Sequence, residues 1–122
     1  TAPSTEPLPS IDMEVLFDYD SDQLRPDQFG RLTELANLLK NDRFAGYKFA
    51  FLGHSDAKGA AAYNRELSKR RAETVARFVN QVSGVAPNRF VSTGLGSMQL
   101  KTPADPFGPA NRRVQLLLIP VN

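Results

Sequence analysis

In the segment LSKRRAETVARFV, Leu67 to Val79, an arginine stands where an apolar side chain is expected. At roughly 100° per residue, Leu67, Val75, Phe78, Val79 and Val82 share one helical face, and Arg71 falls near its middle. Lys69, Arg70, Glu73 and Arg77 take the opposite, solvated side. Asn64 and Ser68 extend the stripe, which is polar in its first half and apolar in its second. A guanidinium buried without a partner is strongly unfavourable, so Arg71 is expected to meet a carboxylate or a ligand. Asp56, in the turn GHSDAKG before the helix, is the acidic candidate. Two readings stay open on these residues. One is a structural ion pair; the other is a cleft with one positive and one negative group, suited to a ligand carrying both charges.

The other constellations are weaker. Asp18, Asp20 and Asp22 are spaced like the acids of a calcium loop, but the sixth position is Gln23 rather than Gly and the twelfth is Phe29 rather than Glu. Solvated turn acids are the simpler reading, with Asp18 able to face the cleft. His54, Ser55 and Asp56 are the residue types of a hydrolytic triad, yet a triad draws them from separate elements. His54 is the sole histidine, so no other imidazole can activate a serine. Gly94 to Gly96 lacks the third glycine of a dinucleotide fingerprint and reads as a turn. Of Arg112 and Arg113, which follow Asn111, one is expected to point to solvent and one to an acid.

These residues sit in a chain of 122, which suits one domain with a modest core. With 41% hydrophobic and 23% charged residues the composition is that of an ordinary folded domain. Fifteen basic residues against thirteen acidic ones give a net charge of +2, which lends no support to nucleic acid as a partner. Without cysteine a thiolate metal site is impossible, and no cofactor is indicated. No apolar run approaches a membrane span, and no secretion signal is evident. Because the chain opens on Thr1 rather than Met, it reads as an excised or processed piece, and missing targeting information does not argue for the cytoplasm.

Residues 1–10, TAPSTEPLPS, read as the end of a proline-rich linker, and residues 11–122 as the folded domain. Alternation in MEVLFD (Met13 to Asp18) predicts a first strand. Pro26 suits the opening turn of a helix running to about Lys40, with Phe29, Leu32, Leu35, Ala36 and Leu39 at helical spacing. YKFAFLG (Tyr47 to Gly53) is apolar nearly throughout and predicts a strand buried on both faces. The helix carrying Arg71 is placed at Ala61 to Val82, with Gly84 as its stop. RFVSTGLG and RRVQLLLIP complete the strands, separated by a proline-rich loop. The order β-α-β-α-β-β predicts a two-layer α/β sandwich, two main helices on one face of a mixed sheet.

Read together, VLFDYDSDQL, LGHSDAKGAAAYNRELSKRRAETVARFV, VSTGLG and NRRVQLLL resemble, in family order, the OmpA-like C-terminal domain that binds peptidoglycan. The likeness runs from about Val15 to Ile119. Its most specific block looks like the family's G-H-T-D-x-x-G, an asparagine, then L-S-x-x-R-A-x-x-V, with fifteen positions from aspartate to arginine, an interval that Asp56 and Arg71 keep. The resemblance implies a non-enzymatic module that holds the diaminopimelate residue of the peptidoglycan stem, whose exposed end is a zwitterion. Arg71 would take its carboxylate, since a guanidinium fork matches that group in a way lysine does not, and Asp56 its ammonium. Without ligand the two are expected to bridge to each other or to water. Asn64 and Leu67 match further lining positions, Asp18 and Tyr19 a turn contributing mainly backbone groups, and Lys58 another lining position.

The resemblance also implies a periplasmic location, with an outer-membrane or envelope parent anchored to the wall. Any membrane contact would lie in other parts of that parent. Two departures stand out. Ser55 replaces the commoner threonine, and Lys58 stands where a small hydroxyl residue is frequent, adding attraction for anionic stem groups. The loop LKTPADPFGPA is peculiar to this chain and is expected to shape the cleft rim or to contact a partner. The rival reading is a protein-interaction or oligomerisation domain of an envelope secretion or motor complex without wall binding.

Overall fold

The computed structural model of the chain describes residues 11 and 13–121. The linker assigned to residues 1–10 lies outside them. Four strands and two long helices follow in the expected order: β1 (Glu14–Leu16), α1 (Phe29–Leu39), β2 (Tyr47–Gly53), α2 (Ala61–Ser83), β3 (Phe90–Gly94) and β4 (Arg113–Pro120). β1 is shorter than its alternation suggests. Pro26 opens a 3-10 turn, Pro26–Gln28, which leads into α1 instead of forming the first α-helical turn. α2 ends at Ser83 on Gly84, whose φ of 72° is the left-handed cap that glycine adopts without strain.

The sheet order is β1-β4-β2-β3. β4 runs antiparallel to both of its neighbours, and β2 pairs in parallel with β3, so the sheet is mixed. Val15, Phe17, Phe49, Phe51, Val114 and Leu116 point to the helical layer and meet Leu32, Leu35, Leu39, Val75 and Val79 in one buried cluster. The two-layer expectation therefore holds, with both helices on one face. β2 is buried on both faces over its centre, with Phe49 and Phe51 on the helical side and Ala50 on the other, while Lys48 near its start is exposed. On the opposite face Leu117 and Ile119 of the adjacent β4 remain exposed. Val82, placed on the apolar stripe of α2, is also exposed, because the helix runs past the edge of the core there.

Two glycines fix how closely α2 lies on the sheet. A Cβ at Gly53 would fall 1.8 Å from the Ser68 carbonyl oxygen, and one at Gly94 would fall 2.5 Å from that of Arg65. The C-terminal ends of β2 and β3 thus touch the backbone of α2 directly. The contact carries the first half of the helix, including Arg71, to the end of β2.

Candidate functional site

The turn after β2, residues 54–60, and the turn after β1, residues 18–25, meet the N-terminal half of α2 around a cleft of about 220 Å³. Six of the seven residues singled out in the sequence line it: Tyr19, Asp56, Lys58, Asn64, Leu67 and Arg71. Asp20, Ser55, Gly59 and Tyr63 complete the wall. The seventh, Asp18, points its carboxylate at Arg25, 3.7 Å away, and contributes its backbone carbonyl.

Arg71 is 1% exposed, and its partners differ from those expected. Its Nε donates to the Ser21 carbonyl at 2.7 Å, Nη1 to that of His54 at 3.1 Å and Nη2 to that of Asp18 at 3.0 Å. It makes no bridge to Asp56, and no carboxylate of the described residues lies within 4.0 Å of it. The expectation of a direct bridge is corrected for a physical reason. Two turns converge on the helix at this point, and their carbonyls take up three of the guanidinium N–H groups in the place an acid would occupy. Carbonyls supply hydrogen bonds but do not cancel charge. Burial, helped by repulsion from Arg112, lowers the Arg71 pKa to about 10 against the pull of Asp56, Asp20 and Asp22, so the group stays cationic at neutral pH. The guanidinium also lies over the Phe17 ring, 5.4 Å from its centroid. Of its five N–H groups three are engaged, which leaves one on each terminal nitrogen without an acceptor among the described residues.

Asp56 is held from two sides. One carboxylate oxygen accepts the Lys58 N–H at 2.9 Å, and the other lies 3.5 Å from Nη1 of Arg112. Arg112 in turn donates through Nε to the Phe17 carbonyl at 3.1 Å. Arg113 meets Glu14 at 3.1 Å. Both arginines at the start of β4 therefore face acids and neither is spent on solvent, which corrects the reading of the pair. Asn64 braces the turn, its amide donating to the Lys58 carbonyl at 3.0 Å, while buried Leu67 forms an apolar wall.

The turn after β1 is pinned onto α2 by three side chains. Asp22 pairs with Arg70 at 3.1 Å, Asp20 accepts from the Tyr63 hydroxyl, and the Ser21 and Asp18 carbonyls take Arg71. The three aspartates of DYDSD thus face three different partners instead of one centre. Asp20 has a φ of 55°, a left-handed conformation unusual outside glycine, and it directs the carboxylate toward Tyr63. Likewise His54 and Ser55 do not meet. His54 Nε2 is 2.6 Å from the Gln115 amide oxygen, and Ser55 Oγ donates to the Asp56 carbonyl. No base among the described residues hydrogen-bonds to the hydroxyl.

Residues 16–113 match the model of the OmpA family. The chain belongs to the OmpA family. Among curated relatives of this OmpA-family chain, outer membrane porin F of Pseudomonas fluorescens is 34% identical over 107 residues, covering 86% of the chain and 32% of the porin. The peptidoglycan-associated lipoprotein of Pseudomonas aeruginosa is 34% identical over 102 residues, covering 82% of the chain and 58% of the lipoprotein. The chain thus spans about a third of the porin and somewhat over half of the lipoprotein. The crystal structure of the peptidoglycan-associated lipoprotein from Burkholderia pseudomallei superposes with a TM-score of 0.75 at 27% identity, over 86% of this chain and 88% of that one.

Sequence reasoning missed Tyr63, the pairing of Arg112 with Asp56, and the carbonyls of Ser21 and His54. Tyr63 was detectable in principle, since it precedes Asn64 in the first turn of α2 and stands beside the polar stripe. The carbonyls carry no signal in residue type.

Proposed function

We propose that this OmpA-family domain binds the peptide stem of peptidoglycan non-covalently, through the zwitterionic end of its diaminopimelate residue. On this reading it tethers an outer-membrane or envelope parent to the wall from the periplasmic side. One observation carries the proposal: a buried, charged Arg71 lines an open cleft beside Asp56, with two N–H groups unspent and no carboxylate within 4.0 Å among the described residues. Two N–H groups on adjacent nitrogens suit the two oxygens of a carboxylate. Asp56, fixed by Lys58 N–H and Arg112, is placed to accept from the ammonium of the same ligand. Leu67 gives the carbon chain an apolar surface. A relative is named for its association with peptidoglycan, which supports the wall as the ligand class.

The test is calorimetric titration of a diaminopimelate-containing stem peptide. Losing one partner of a desolvated charge pair costs about 2–5 kcal/mol, so Arg71→Ala is expected to weaken binding by well over tenfold. Arg71→Lys should recover little, because it loses the fork. Equal affinity of wild type and Arg71→Ala would reject the site.

A further inference from the structure

We infer that Lys58 and Tyr19 form a second, anion-binding subsite at the cleft rim, which reads a carboxylate on the ligand residue next to the zwitterionic one. This rests on the wall-binding reading and names a selectivity within it. The ionisable groups lining the cleft are Tyr19, Asp20, Asp56, Lys58, Tyr63 and Arg71. Asp20 is turned to the Tyr63 hydroxyl, Asp56 to Lys58 N–H and Arg112, and Arg71 is fixed by three carbonyls. The Lys58 ammonium is the charge left over. No carboxylate of the described residues lies within 4.0 Å of it, and it rests over the Tyr19 ring, 5.0 Å from the centroid.

The backbone of Lys58 is as constrained as its side chain is exposed. Its N–H donates to Asp56 and its carbonyl accepts from buried Asn64. The ring face attracts the ammonium to the cleft without supplying an anion that a ligand would have to displace. A zwitterion by itself is answered by Arg71 and Asp56, so a further cation suits a ligand with a further carboxylate. In a peptidoglycan stem the residue preceding the diamino acid is joined through its side-chain carboxyl. Its main-chain carboxyl is therefore left either as a carboxylate or capped as an amide. The two forms have nearly the same shape and differ by one charge.

Two stem peptides differing only in that group test the subsite by calorimetric titration at low ionic strength. Wild type is expected to bind the carboxylate form roughly two- to fivefold more tightly, as for an exposed charge pair, with the ratio shrinking as salt is raised. Lys58→Gln, which keeps most of the stem and removes the charge, is expected to bind both peptides like the amide form. Equal binding of the two peptides by wild type, or an undiminished preference in Lys58→Gln, overturns the subsite and leaves wall binding standing. If wild type binds neither peptide, both readings fall.

Discussion

At the scale of single residues, two buried polar groups behave in opposite ways. Arg71 keeps its charge because three carbonyls and a cluster of acids beyond hydrogen-bond reach support it. His54, at the end of β2, loses its charge. Burial first, then the nearby Arg113, lowers its pKa, against the hydrogen bond to Gln115 and the attraction of Glu14. An amide oxygen only accepts, so Nε2 carries the proton, and Nδ1 is left buried without a partner among the described residues. In the unfolded chain this histidine titrates near 6.5. Below that pH the unfolded state takes up a proton that the folded state refuses, so stability falls as pH drops. It levels off once the folded histidine also titrates. Because His54 is the sole histidine, urea unfolding between pH 7 and 5.5 should isolate it. Stability is expected to fall as pH drops across this interval, with about 1.4 kcal/mol per pH unit as the ceiling for a single proton. In His54→Gln the same interval should be nearly flat; an unchanged slope there would assign the effect to other groups.

At the scale of elements, the site depends on how tightly α2 sits against β2. The interval of fifteen residues from Asp56 to Arg71 spans a turn and three helical turns. It places the two side chains in one cleft only while the crossing at Gly53 stays close. Gly53→Ala puts a methyl group inside the van der Waals surface of the Ser68 carbonyl, and backbone cannot yield there as a side chain would. The expected loss is about 3 kcal/mol, at the upper end for overpacking, read by chemical denaturation. Gly46→Ala, where nothing lies within 4 Å of the added carbon, is the matched control and should change stability by less than about 0.5 kcal/mol. If both variants behave alike, the crossing is not what holds the helix in place. The long loop before β4 is tied to the same assembly. Pro106 accepts the Ala57 N–H at 2.8 Å, beside Asp56, and buried Asn111 closes the loop through Thr102 and Asp105. The loop LKTPADPFGPA therefore braces the turn that carries Asp56.

For the whole molecule, the question is whether wall attachment would follow from a site or from overall charge. A net charge of +2 is too small to drive strong association with a polyanion. Retention on purified sacculi should therefore persist near 1 M salt, where screening acts beyond about 3 Å but reaches a buried pair far less. Arg71→Ala should remain in the supernatant at any salt. Release of the wild type by salt alone would point to generic charge. Failure to sediment under all conditions would favour the rival reading, an interaction module of an envelope complex.

Much of this molecule is local in origin, and that part was legible in the sequence. Strand alternation, helical spacing, the Gly84 cap and the misfit of Arg71 on its stripe each depend on neighbours a few residues away. They yielded the element order, the two-layer class and Arg71, Asn64 and Asp56 as candidates, whereas Tyr19, Lys58 and Leu67 of the cleft wall came from the family resemblance. The partners of those residues were decided only by tertiary structure. Every residue carries a carbonyl, so nothing in residue type marks Ser21, His54 and Asp18 as acceptors for Arg71; the path of two turns over one helix selects them. The pairing of Asp56 with Arg112, fifty-six positions away, depends in the same way on β4 lying beside β2 in the sheet. Side-chain chemistry is written residue by residue, whereas the choice among many equivalent acceptors and acids belongs to the packed chain.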